Sequence, residues 1–245
     1  MLKNKESLLR DLEAYRELLK CNRPTFLDWQ KLCDDVYCIC ADIHCPYHSP
    51  FWVEKFIKMS MKTKLKKGQK RVCVIGGDFF QFDTFSKHKL SNPDDIIEYT
   101  YNAGGDILKV FLKVFDKIII TKGNHDKWIE IFTDGKMNSD HIFQMMDIKK
   151  SEFKEKIVLS NYPYLVINNF WRVTHPNNYS IVKGAVANKL SSKYEMGIIN
   201  AHGHFLSMGY NTSGKYPIID IGGLFDRKKI YYIMMISLSS VNLTE

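Results

Sequence analysis

Four times in 245 residues an apolar run stops at residue types that bind metals or move protons. Residues 36–40 lead into Asp42-Ile43-His44, and residues 72–75 into Gly76-Gly77-Asp78. Residues 117–121 lead into Gly123-Asn124-His125-Asp126, and residues 197–200 into His202-Gly203-His204. An apolar run of four or five residues next to glycine reads as a strand buried on both faces. In an open α/β sheet ligands sit beyond the carboxyl ends of such strands. The pattern therefore requires a sheet that carries a polar site along one edge.

Six residues in these segments, with His175 after residues 170–174, are candidate metal ligands: Asp42, His44, Asp78, Asn124, His175, His202 and His204. All are oxygen or nitrogen donors, and no thiolate is needed. Such a set suits manganese, iron, zinc or nickel and argues against calcium. Seven donors exceed the four of a tetrahedral zinc site, so two ions are expected. A bridging carboxylate would hold them roughly 3.5–4 Å apart, as phosphoryl-transfer sites require. A lone Asp-x-His is a weak signal, and a single histidine is more often a satisfied polar residue. His202-Gly203-His204 is stronger, because alternate residues on extended backbone can approach one ion. Four of the eight histidines fall in these segments, and His175 follows the strand pattern at residues 170–174.

In this order Asp42-x-His44, Gly77-Asp78, Gly123-Asn124-His125-Asp126, His175 and His202-x-His204 resemble the calcineurin-like metallophosphoesterase superfamily. The resemblance spans residues 36–222 and is nearest to small phage-type and prokaryotic members, relatives of the DNA-repair exonucleases. It implies an α/β fold, a four-layer sandwich of two mixed β-sheets flanked by helices. It also implies that Asp42, His44 and His204 hold one divalent ion, that Asn124, His175 and His202 hold another, and that Asp78 bridges them. Manganese is the first expectation, with iron, zinc, nickel or magnesium as alternatives. The implied reaction is hydrolysis of a phosphodiester or phosphomonoester by in-line attack of a bridging hydroxide. His125 would serve the leaving oxygen, with Asp78 the second catalytic residue. A nuclease or nucleotide phosphodiesterase fits the branch, a small-molecule phosphatase remains open, and a homo-oligomer is common in the family. One position departs from the pattern. The family often has a second aspartate where this chain has Gln81, and that carboxylate orients the histidine matching His125. Asp83 is the nearest replacement. The Asp-Arg-Gly of protein Ser/Thr phosphatases is absent.

Other residues near these segments are weaker candidates. Asp126 adjoins His125, Ser86, Lys87 and His88 follow the Asp78 strand, and Asn177, Asn178 and Tyr179 follow His175. Each could touch substrate, and an ordinary loop is the competing reading.

Residues 8, 12, 15 and 19 form an apolar helical stripe, expected to be an N-terminal helical extension over residues 1–33. Residues 34–245 then form the phosphoesterase domain. Ser49-Pro50 reads as an N-cap and first helical position, ahead of a helix with Val53, Phe56, Ile57 and Met61 on its apolar face. A second helix is expected over residues 94–115, with Gly104 marking a kink or a close approach. Residues 127–156 read as short helices and loops anchored by Trp128, Ile129, Ile131 and Phe132. Short strands follow at residues 164–167, 170–174, 197–200, 217–221 and 230–238.

The net charge of +8 is concentrated. Residues 55–71 hold eight Lys and Arg and no acid, and the remaining 27 basic residues balance 27 acidic ones. As a DNA-binding stripe this segment is the rival to catalysis, and a non-catalytic metal-binding scaffold is a second rival. A solvated helix face is the bland reading. It precedes the strand at residues 72–75, so it is expected at the end of the sheet away from the site. No apolar run approaches the roughly 20 residues that span a bilayer. No leader is evident, and the six cysteines lack paired CxxC spacing. A soluble cytoplasmic protein with reduced thiols and no membrane partner is expected.

Overall fold

The computed structural model describes residues 35–86 and 96–230. The expected helix at residues 8–19, Lys87 and His88, and the strand at residues 231–238 lie outside them. Two sheets organise the described chain. The first has strands β1 (Val36–Cys40), β2 (Arg71–Gly76), β3 (Lys117–Thr121) and β4 (Ile157–Leu159), in that order and all parallel. The second has β5 (Tyr164–Ile167), β6 (Trp171–Thr174), β7 (Gly197–Asn200), β8 (Leu206–Tyr210) and β9 (Pro217–Ile221), in the order β5-β6-β7-β9-β8. It mixes parallel and antiparallel pairs. The expectation of two mixed sheets thus holds only for the second among the described residues. Between strands of the first sheet the chain returns through helical segments, and such crossovers bring successive strands in parallel.

Alternation along each strand sorts its side chains onto two faces. Val72, Val74 and Ile119 point from the first sheet into a core shared with Leu165, Ile167, Val173 and Ile199 of the second. Cys73, Ile75, Ile118 and Ile120 point the other way, toward the helices α1 (Pro50–Lys62) and α2 (Ile97–Leu112). Ile198 and Ile218 leave the second sheet on its outer face and meet Ala187 of α6 (Ala185–Tyr194). The first sheet and the centre of the second are therefore covered on both faces, which explains why strands such as β3 and β7 read as nearly continuous apolar runs. Three short helices, α3 (Trp128–Phe132), α4 (Ser139–Met145) and α5 (Lys150–Lys156), carry the chain from β3 to β4.

Ser49 caps α1, its Oγ accepting from Trp52 N at 3.4 Å, and Pro50 opens the helix. Met61 is not on the buried face; Ser60 takes that position, between the half-buried Phe56 and the turn into residue 63. Ile131 and Phe132 are likewise exposed, because α3 is a single short turn that buries only Ile129. The basic segment runs along α1 into the amino end of β2, whereas Asp78 follows its carboxyl end, so the two are at opposite ends of the strand. Part of its charge is internal: Arg71 donates to the carbonyls of Ser60 (3.1 Å) and Thr63 (2.9 Å), and Lys58 pairs with Glu54. No helix among the described residues is long and apolar enough to cross a membrane, and the described cysteines 38, 40, 45 and 73 are free.

α2 runs unbroken through Gly104 and Gly105, so the pair marks close packing and not a break. A Cβ on Gly104 would lie 2.8 Å from Met146 Cε and 2.8 Å from Phe79 Cε1, whereas one on Gly105 meets Met146 at an ordinary 3.6 Å. Gly105→Ala should stabilise the protein by about 0.5–1 kcal/mol through helix propensity. Gly104→Ala gains the same propensity but overpacks the rigid, buried Phe79 ring, at a net cost of about 1–2 kcal/mol. Urea unfolding of the two variants should move the midpoint in opposite directions.

Candidate metal centre

Registry aligns the strand ends. Cys40 pairs with Ile75 and Ile75 with Ile120, so the loops carrying Asp42, Asp78 and Asn124 leave the first sheet side by side. Those loops then hydrogen-bond to each other: Asp42 N donates to Gly77 O and His44 N to Asp78 O, each at 3.0 Å. In the second sheet Thr174 pairs with Asn200, which brings His175 next to the turn with His202 and His204. His175 Nδ1 lies 3.0 Å from Gly76 O and ties the two sheets together across the site. A carbonyl only accepts, so Nδ1 carries the proton and Nε2 is directed at the centre.

All seven candidate ligands come together. Asp42, His44 and His204 form one group, and Asp78, His175 and His202 another, with donor atoms inside 4.8 Å of one another within each group. Asn124 Oδ1 joins the second, 3.0 Å from His175 Nε2. Asp78 Oδ2 lies between them, 3.1 Å from His175 Nε2 and 3.9 Å from His44 Nε2. Asp42 Oδ1 is 3.3 Å from His204 Nε2 and 3.7 Å from His44 Nε2. Asp42 Oδ1 and Asp78 Oδ2 are nonetheless buried without a hydrogen bond. Ligand-type atoms that crowd together while two carboxylate oxygens among them stay unsatisfied are converging on a shared point, as ligands of a cation do. The oxygen–nitrogen donor set and the two unsatisfied carboxylate oxygens fit divalent metal ions.

The backbone is bent to achieve this. Asp42, His44, Asp78, His202 and His204 all adopt left-handed conformations, with φ between 49° and 73°. Gly123 is required where it stands, since a Cβ there would lie 2.0 Å from Asp78 Oδ1. Gly77, at φ 92°, lies against the His175 ring, 2.6 Å from a built Cβ to Nδ1.

Burial alone would raise the carboxyl of Asp42, but His204 and His44 hold it below the ordinary range. The same conflict in Asp78 is decided by His175, His125 and His44, and it too is held well down. Burial would lower His175, yet Asp78, Asp42 and Asp126 push it up to about 9. Burial, with His44 and His204, lowers His125 to about 3, leaving that ring neutral.

His125 stands beside both groups, and its ligating nitrogen is also within 4.8 Å of His44 and Asp78 donors. Its Nδ1 donates to the main-chain carbonyl of Gln81 at 2.6 Å, and Trp128 packs over its ring at 3.7 Å between centroids. The Gln81 side chain turns away and donates to Asp83 Oδ2 at 2.6 Å. Asp83 Oδ1 in turn lies 3.9 Å from His125 Nδ1, so Asp83 does reach the position expected of a replacement carboxylate. Asp126 does not face the centre: its oxygens accept from Phe80 N (3.0 Å) and Gly123 N (2.8 Å), clamping two loops together. Burial and Asp78 raise its carboxyl to about 6. Ser86 closes the turn Asp83–Phe85 through its backbone, and Asn177 is exposed on the second sheet's side. Cys45 is a buried thiol.

One closing segment was not singled out in the sequence. Gly222-Gly223-Leu224-Phe225 follows β9 and wraps the first group. Leu224 N donates to Asp42 O at 3.0 Å, and the Phe225 ring lies 4.5 Å from that of His204. A Cβ on Gly223 would lie 2.8 Å from Asp42 Cβ. The signal was available, since residues 217–221 are another apolar run ending in glycines. No family model and no curated protein matches the chain.

With its value near 9 against an ordinary 6.5, protonated His175 stabilises the metal-free fold fully below pH 6.5. That contribution is lost as pH rises through about 9. A metal ion must displace this proton. Metal affinity should therefore rise about tenfold per pH unit between pH 7 and 8.5, with one proton released. Calorimetry in buffers of different ionisation enthalpy measures both.

Proposed function

We propose that the protein is a metal-dependent phosphoesterase of the calcineurin-like superfamily, with the two packed sheets as the inner layers of its four-layer sandwich. The observation that carries this reading is Asp78 Oδ2, buried, unbonded and placed between the His44 and His175 nitrogens. In this reading Asp42, His44 and His204 hold one ion, Asn124, His175 and His202 the other, and Asp78 both. Divalent cations, manganese first, supply Lewis acidity toward phosphoryl oxygens and lower the pKa of water.

The chain's own residues account for the rest. Hydrolysis forms a bond from water oxygen to phosphorus, breaks the ester P–O bond and leaves an oxygen that needs a proton. His125 supports that oxygen from its Nε2 side, because its Nδ1 proton is committed to Gln81 O. Donation from Nε2 needs a charged ring, which anionic groups favour: substrate phosphate on one side and Asp83 on the other. Asp83 orients the ring from 3.9 Å and supplies the negative charge that Gln81 lacks. Clamping by Asp126 keeps Gly123 against Asp78, so the two ligand loops cannot separate.

Metal-depleted protein should hydrolyse a chromogenic phosphodiester or the matching monoester only when manganese, zinc, nickel, iron or magnesium is restored. Asp78→Ala and His125→Ala should each lower kcat at least about 100-fold. Protein that binds two ions but turns over neither ester with any of these metals would overturn the proposal. Asp83→Asn should lower kcat on the order of tenfold, the scale of outer partners of site histidines, with KM unchanged. A loss confined to KM would remove Asp83 from the ring's support.

A further inference from the structure

Beside the His175–His202 group the structure has a cleft of about 670 Å³ between residues 177–180 and one face of α6. Its lining includes Asn177, Asn178 and Tyr179 on one wall and Lys189 and Lys193 on the other. The lysines are four residues apart on the helix, so they stand on the same face one turn apart. No carboxylate lines the cleft, and residues 176–194 contain no Asp or Glu. Its positive charge is therefore uncompensated within the cleft, and the Asn amides add neutral donors. Tyr179 leaves 54% of its surface open, with its ring 6.5 Å from that of His202. A smaller hollow that shares Asn178 and Ser180 with the cleft is lined by Gly203, between His202 and His204. Through Tyr179 the cleft adjoins His202, while the smaller hollow beside it is also lined by Asp220.

We propose that this cleft is a subsite for a second phosphate of the substrate, held by Lys189 and Lys193 while the first phosphate occupies the metal centre. The inference rests on the phosphoesterase reading for the identity of the first phosphate. Its own content is the chemistry of the cleft: two ammonium groups and amide donors for an anion, with an open aromatic face for an attached base. The volume is within the range of small-molecule sites and accommodates a nucleotide unit. A polynucleotide strand and a nucleoside diphosphate both present a second phosphate, and they are the two sources to separate. The basic segment at residues 55–71 is not the receptor in this scheme, because it lies at the opposite end of β2 from Asp78.

The test reads binding apart from turnover. Fluorescence anisotropy of a labelled single-stranded oligothymidylate is followed against salt, with metal-free and metal-loaded full-length protein. Lys189→Gln/Lys193→Gln should weaken binding about tenfold at low salt. It should also reduce the slope of log K against log salt by about 0.7, the share of the one phosphate that the two lysines hold. Both side chains are exposed, so thermal unfolding should not change. Lys64→Gln/Lys66→Gln/Lys67→Gln is the comparison, and its slope should stay with the parent. Loss in that variant and none in the cleft variant would overturn the proposal, as would no strand binding by the parent. A nucleoside diphosphate that displaces the strand from the parent but not from the cleft variant supports the subsite and assigns it to a diphosphate. A strand undisturbed by the diphosphate, with the cleft variant weakened, assigns it to a polynucleotide backbone. In turnover, the cleft variant should raise KM for the multiphosphate substrate and leave the chromogenic diester unaffected. If neither ester is hydrolysed by loaded protein, the phosphoesterase reading falls, while the anisotropy still decides the cleft.

Discussion

The centre depends on one carboxylate kept ionised in a place where water cannot reach it. Asp78 is buried, which by itself favours the neutral acid. Its Oδ1 accepts from His125 N at 2.9 Å, and its Oδ2 faces imidazole nitrogens on two sides, His175 at 3.1 Å and His44 at 3.9 Å. Asp78 therefore makes the histidines basic, and the histidines keep Asp78 charged. The high value of His175 and the low value of Asp78 are two views of that single interaction. A centre built this way stores protons where cations are to bind, so occupancy by protons and by metal must compete.

Holding the donors in place has a backbone cost. Five of the seven candidate ligands adopt left-handed conformations, which are sterically disfavoured for residues with a side chain. At about 1–3 kcal/mol each, the strain is comparable to a large part of a domain's net stability. The two covered sheets offset it. The inner strands β2, β3 and β7 are buried, and the loops beyond them are fastened by His175 to Gly76 O, by Asp126 to Phe80 N and Gly123 N, and by Leu224 to Asp42 O. Asp and His tolerate this backbone region better than most side chains, so the ligand chemistry and the turn geometry select the same residue types.

How much was legible in the sequence follows from which face each residue serves. Buried parallel strands leave apolar runs in the chain, so β1, β3 and β7 could be bounded closely from pattern alone, and β5 and β9 from shorter runs beside turn residues. The ligand types after them were legible because polar residues that terminate buried strands have few other uses. Elements whose apolar side is small or turned outward gave no such signal. α6 buries only Ala187 and Ser191, and β8 turns Leu206, Met208 and Tyr210 into the open at the sheet's edge. The role of Gln81 was legible only in part. Pattern suggested that its side chain replaces a carboxylate beside His125, whereas its main-chain carbonyl is what touches the ring.

The exchange at Gln81 has a local cause. Phe82 takes a left-handed conformation at φ 50°, with its ring buried and stacked on Phe80 at 4.6 Å. That single residue turns the chain back, so that the carbonyl of Gln81 and the carboxylate of Asp83 both face His125 from one short loop. A carboxylate at 81 would have to share this space with the one at 83, and two buried acids at such separation oppose each other's ionisation. The amide at Gln81 removes the conflict and donates to Asp83, which fixes the remaining carboxylate near the ring. Gln81 and Asp83 thus act as one unit beside His125. The charge sits at Asp83, and the amide of Gln81 holds it in position.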